Sequence, residues 1–162
     1  MANALSADAS TFLQTIAEEV KTVQQFADLL KLEQTSLSAG NTDDLLVFAE
    51  QKSQLAIDLG RLAAQRNLSL AAQGFAADRP GVEAWCAKHP SEKTASDTWS
   101  RILVLAREAR ELNRLNGELI QLRMQFNAKA LEALQGGKNS LDLYGPDGQA
   151  TTSGRPRINQ AV

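Results

Sequence analysis

Cys86 and His89 are the residues with the strongest chemical credentials, standing three apart in the run Cys86-Ala-Lys-His89 and so within one helical turn. That spacing suits two metal ligands. A structural zinc site needs four, and the chain holds no other Cys or His. Covalent haem attachment would need a second Cys before the His. The pair therefore reads as a packed thiol and a helix-end imidazole ahead of Pro90. Carboxylate-bridged metal centres in helical bundles use Glu-x-x-His pairs on long helices, and the single His lies outside any long helical pattern. No metal and no cofactor is expected.

The other charged groups read as surface. Asp and Glu fall mainly at helix starts and on charged helix faces, which argues solvation rather than paired acid–base work. Arg101, Arg107, Arg110, Arg114 and Arg123 look at first like a nucleic-acid stripe, but Glu108, Glu111 and Glu118 are interleaved with them. Arg107 with Glu111 and Arg114 with Glu118 stand at helical ion-pair spacing, so a salt-bridged face is expected. A formal net charge of -2 agrees, because a phosphate-backbone binder carries a basic face. Nucleic acid is excluded as a partner, and no enzyme is expected. Function must then reside in surfaces.

Those surfaces are carried by long helices. Ala, Leu, Gln and Glu abound, only 5% of residues are aromatic, and all four prolines follow residue 79. Ser6 or Asp8 caps a first helix whose apolar positions are Ala9, Leu13, Ile16, Val20, Val23, Ala27, Leu30 and Leu37. Steps of four and three give a coiled-coil seam, interrupted at Gln34 and stopped at Gly40. Asn41 or Thr42 then caps a second helix, with Asp43 and Asp44 in its first turn. Its seam is Leu45, Phe48, Leu55, Leu59 and Leu62, with Lys52 packing its stem while its charge snorkels outward. A join this short makes an antiparallel hairpin.

Residues 67–96 read as irregular, with short helical pieces near 70–77 and 81–88. A third long helix starts at Ser96 or Asp97 and runs to about Gln135. One apolar stripe on it holds Leu105, Leu112, Leu115, Leu119, Leu122 and Phe126. The other holds Ile102, Ala106, Ala109, Asn113, Asn116, Ile120, Met124, Leu131 and Leu134. Two stripes imply two neighbours. Asn113, Asn116 and Asn127 first suggest register, and second an exposed amide face for a partner helix.

The expected fold is all-α, an elongated antiparallel bundle of three long helices with one or two short helices between the second and third. Phe12, Phe75, Trp85 and Trp99 would form an aromatic cap at one end. At 1.5 Å per residue the long helices measure about 50, 36 and 58 Å, which leaves part of Phe126 to Leu134 without an internal partner. The bundle domain is placed at residues 1–135. Residues 136–162 follow the Gly136-Gly137 stop as a flexible tail with anchors at Leu141, Leu143 and Tyr144. No apolar run approaches the roughly 18 residues of a membrane span, and no basic-then-apolar leader opens the chain. Membrane insertion is not expected, and a cytoplasmic location is.

The run Leu112-Asn-Arg-Leu-Asn116-Gly-Glu-Leu-Ile120, then Leu131-Glu-Ala-Leu134-Gln-Gly, then Leu143-Tyr144-Gly145-Pro-Asp147-Gly148, resembles the FlgN family of flagellar type III export chaperones. The resemblance covers the last third closely; the first two helices agree in length and helical pattern. It implies a non-hydrolysing chaperone that binds the C-terminal helical segments of hook–filament junction (hook-associated) proteins, prevents their premature assembly and delivers them to the cytoplasmic domain of the export gate. By that analogy Asn116, Ile120, Phe126, Leu131 and Leu134 are cargo-binding candidates, and Leu141, Leu143 and Tyr144 dock at the gate. A self-associating structural coiled coil without cargo is the alternative, since the sequence leaves the oligomeric state open.

Overall fold

The computed structural model describes the backbone of residues 6–141 and the side chains of residues 6–136. It is all-α, with three long antiparallel helices and one short helix in the last connection. These are α1 (Ala7–Ala39), α2 (Leu45–Ala72), α3 (Arg79–Lys88) and α4 (Lys93–Leu141). The chain divides into two compact units, Met1–Ile120 and Gln121–Val162.

Helix ends follow local chemistry. The Ser6 side chain accepts the Ala9 N–H at 3.2 Å, which satisfies one of the free donors at the start of α1. Gly40 closes α1 in the left-handed conformation at φ 87°, donating to Leu37 O, while Asn41 N–H returns to Ser36 O. The second helix departs from the sequence reading. Asn41 Oδ1 accepts the Asp43 N–H at 3.0 Å inside the loop, and α2 opens only at Leu45. Asp43 and Asp44 therefore precede its first turn.

The supposedly irregular region is mostly helical. Residues 67–72 extend α2, because Ser69 and Leu70 are buried and repay the ordering of that last turn. The stop comes at Gly74, φ 78°. The piece expected near 70–77 is thus the end of α2, whereas the one near 81–88 is α3. Asp78 caps α3 by accepting the Gly81 N–H at 2.9 Å. Gly81 has no substitute, since a Cβ there would lie 1.8 Å from the Ala76 carbonyl oxygen. α4 starts at Lys93, earlier than expected, and continues through Gly136-Gly137 to Leu141. Gly136 does not take up the left-handed conformation that ends α1.

Within the first unit α1 and α4 run in the same direction and pack directly on each other, with α2 antiparallel to both. Near one end Ala9, Phe12 and Ile16 of α1 meet Leu70 of α2, Val82 and Trp85 of α3, and Trp99 of α4. The Phe12 and Trp85 ring centroids are 4.5 Å apart, and Phe75 packs against the same cluster, so the expected aromatic cap is present. Farther along, Ala27 and Leu30 pack on Ala109, with Phe26 and Leu112 at the margin.

Between and beyond these clusters the bundle is pinned by buried charge that periodicity did not reveal. Glu19 of α1 pairs with Arg66 of α2, whose guanidinium also lies 5.0 Å from the Trp99 ring centroid. Glu33 of α1 is 2% exposed and accepts from Lys52 Nζ at 2.7 Å and from Asn116 Nδ2 at 2.9 Å. Lys52 therefore points into a carboxylate instead of snorkelling. Gln34, expected in the seam, is only half-buried.

Candidate protein-binding surface

The Cys86–His89 pair is absorbed into packing. His89 Nδ1 lies 2.8 Å from Trp85 O, and its ring stacks on Trp85 at 4.1 Å. The half-buried Cys86 thiol is held above its ordinary pKa, first by burial and then by the nearby Glu83 charge. Among the described residues no group of three His, Cys, Asp or Glu is placed to hold a metal ion.

The charged face of α4 is salt-bridged, with one pairing exchanged. Arg114 bonds both Glu118 and Glu111, so Glu111 is taken by Arg114 instead of Arg107. The Arg114 hydrogen bond holds the Glu111 carboxyl below its ordinary pKa. Glu108 pairs across to Lys31 of α1 at 2.7 Å and raises that amine's pKa.

The cargo candidates fall in three different environments. Asn116 is 1% exposed and donates to both Leu30 O and Glu33 Oε2 at 2.9 Å. These bonds tie α4 to α1, in keeping with the register reading of this residue, and leave its side chain away from the exposed surface. Ile120 is half-buried at the end of the first unit. Phe126, Leu131 and Leu134 belong to the second unit and are 56–70% exposed.

Within that second unit, helical geometry separates the exposed apolar groups into two lines. Met124, Leu131 and Leu134 fall within one arc of about 80°, by 100° per residue. Phe126 lies about a third of a turn away, on the side of the exposed Leu122. A partner helix laid on the first line would meet Leu131 and Leu134 together and Phe126 at its edge. Leu141 is the last residue of α4; its side chain, Leu143 and Tyr144 lie outside the described residues.

Two further apolar features went unread in the sequence. Leu29, Leu32 and Leu55 line a shallow groove between α1 and α2, edged by Gln25, Asp28, Gln51 and Gln54. On the outer side of α2, Leu46, Ile57 and Leu68 are 66–74% exposed. Their even spacing of eleven residues was the available signal, hidden because they fall outside the four-and-three seam.

Among the described residues no helix is long and apolar enough to cross a membrane. Fold and surface together define a helical-bundle protein with exposed apolar side chains on α2 and α4. The family model described as FlgN protein matches residues 1–152. The flagella synthesis protein FlgN of Proteus mirabilis is 32% identical over 143 residues, covering 86% of this chain and 90% of the relative. The Salmonella typhimurium protein of the same name is 31% identical over 145 residues, covering 88% of each chain. That of Yersinia enterocolitica is 27% identical over 146 residues, covering 85% of this chain and 88% of the relative. No solved structure gives a significant match. The chain belongs to the FlgN family, a family of flagellar chaperones and not of enzymes.

Proposed function

We propose that this chain is a cytoplasmic export chaperone that holds the C-terminal helical segment of a hook–filament junction protein on the second-unit part of α4 and passes it to the export gate. The observation that carries the reading is the line of Met124, Leu131 and Leu134, each more than half exposed, with Phe126 beside it. Apolar side chains aligned on one helix are the complement of an amphipathic helix, which docks through anchors at three- and four-residue spacing. Export cargo must stay unassembled, and its terminal helix lacks its assembly partner until it reaches the growing structure. A substitute helix surface meets that need.

Residues 136–162 serve in this proposal as the delivery segment, with Leu141, Leu143 and Tyr144 docking on the cytoplasmic domain of the gate. Its first residues continue α4 to Leu141. Separate surfaces for cargo and gate allow both to be engaged during hand-over.

The test is anisotropy of a labelled peptide matching the cargo's C-terminal helix, titrated with wild-type chain and with Leu131→Asp/Leu134→Asp. Each fully buried leucine contributes about 1.5–3 kcal/mol, and a buried charge costs more, so the double variant loses at least about 100-fold in affinity. Both positions are exposed in the free chain, so its unfolding midpoint stays unchanged. Unaltered peptide affinity would move the cargo site off this line.

A further inference from the structure

We propose that the groove between α1 and α2 is a second docking surface, one that receives a basic amphipathic helix of another protein. It lies wholly within the first unit and is independent of the cargo surface on α4.

The base of the groove is apolar. Leu29, 8% exposed, and the half-buried Leu55 form it, and Leu32 lines one wall at 60% exposure. On α2 the lining runs by helical spacing from Gln51 and Gln54 back to Val47, itself 49% exposed, and on to Asp58. The Glu33–Lys52 and Glu19–Arg66 pairs fix the antiparallel register of the two helices. That register brings Asp58 level with Asp28, so a carboxylate stands on each wall at the same height. A helix laid along such a groove inserts apolar side chains at three- and four-residue spacing and turns its two flanks to the walls.

The walls decide the charge of the occupant. From Gln25 to Gly60 the chain carries two cations, and both are bound within it: Lys31 lies 2.7 Å from Glu108, and Lys52 lies 2.7 Å from Glu33. Asp28, Asp43, Asp44, Glu50 and Asp58 have no ion pair among the described residues. Lys21 and Arg61, the next cations along α1 and α2, stand beyond Gln25 and Gly60 and close the acidic stretch at that end. Uncompensated carboxylates around an apolar base repel an acidic helix and attract one with Lys or Arg on both flanks. They also repel an anionic lipid surface, which leaves a protein helix as the occupant. The lining from Val47 to Asp58 spans about three helical turns, a small contact, so Kd is expected at about 10 to 100 µM.

The probe is a labelled model peptide of about 18 residues, with Leu at helical spacing and Lys on both flanks, titrated with the full chain and followed by anisotropy at about 0.1 M salt. The same peptide with Glu in place of Lys is expected to bind at least about 10-fold more weakly. Leu32→Lys weakens binding of the Lys peptide by about 10-fold or more, and Asp28→Lys and Asp58→Lys each by about 5-fold, with helicity unchanged because Leu32 and Asp28 are exposed. Asp97→Lys makes the same charge change on α4 and leaves affinity within about 2-fold. Leu131→Asp/Leu134→Asp leaves the Lys peptide bound, which separates this surface from the cargo surface. Equal binding of the Lys and Glu peptides, or unchanged affinity in Leu32→Lys, overturns the proposal. Loss of cargo-peptide binding in Leu32→Lys would make the groove part of the cargo site and overturn it as well. So would a changed sedimented mass in that variant with the Lys peptide still bound, which would give the groove to a second copy.

Discussion

Lys52→Met tests how strongly buried charge holds the bundle. Methionine keeps the apolar reach of the lysine stem and removes the ammonium that sits 2.7 Å from Glu33 Oε1. The Glu33 carboxylate, 2% exposed, then keeps only the Asn116 amide among its recorded donors. Breaking a buried pair from one side costs about 3–5 kcal/mol. Lys52 keeps 21% of its side chain in contact with solvent, which places the expected loss near the lower end, about 3 kcal/mol. For a chain of this size that is a drop of roughly 6–12 °C in Tm. In urea, with a slope of about 2 kcal/mol per molar, the midpoint moves down by about 1.5 M. The assay is urea unfolding followed by circular dichroism. Lys52→Met/Glu33→Met removes both charges, and at least half of the lost stability is expected to return, because an apolar pair of similar volume avoids the desolvation cost. A single variant within 1 kcal/mol of wild type, by the standard of about 3 kcal/mol for such a break, would refute the reasoning. A double variant less stable than the single one would refute it equally.

Gly81→Ala pushes a Cβ to 1.8 Å from the Ala76 carbonyl and must displace the start of α3, costing about 1–3 kcal/mol in the same unfolding assay. The raised Cys86 pKa means that the folded chain keeps a thiol proton over a window where the unfolded chain has lost it. Stability therefore falls as pH rises from the ordinary thiol range towards the raised value, and alkylation of the folded chain requires higher pH than alkylation in urea. Equal rate–pH profiles in both states would contradict the burial argument. Tyr144→Ala is predicted to leave cargo-peptide affinity within about 2-fold while weakening binding to the gate's cytoplasmic domain by at least about 10-fold. Equal losses in both assays would assign the tail to the cargo site.

Periodicity made the all-α bundle legible because Ile16, Val23, Leu30 and Leu37 can be buried on one face only if α1 is a helix with a neighbour. Aromatic placement made the cap legible for a similar reason, since Phe12, Trp85 and Trp99 had no other place to be buried. Glu19 and Glu33 escaped notice because a seam pattern treats any carboxylate as solvent-facing, whereas their partners Arg66 and Lys52 are 47 and 19 residues away. The end of α2 is misplaced in the sequence reading because residues 67–72 read there as irregular, and the end of α4 because Gly136-Gly137 reads as a stop. Gly40 and Gly74 adopt left-handed backbone and stop their helices, while Gly136 does not. Among the surface candidates the burial of Asn116 was not legible, because the same stripe passes from buried to exposed along one helix and sequence spacing does not say where cover ends.

The most direct measurement is isothermal titration of the full chain with the C-terminal helical segment of a hook–filament junction protein from the same organism. One segment per chain, with Kd near micromolar, is the predicted result. No heat and no co-migration, with both partners soluble and the chain folded, would contradict the chaperone account.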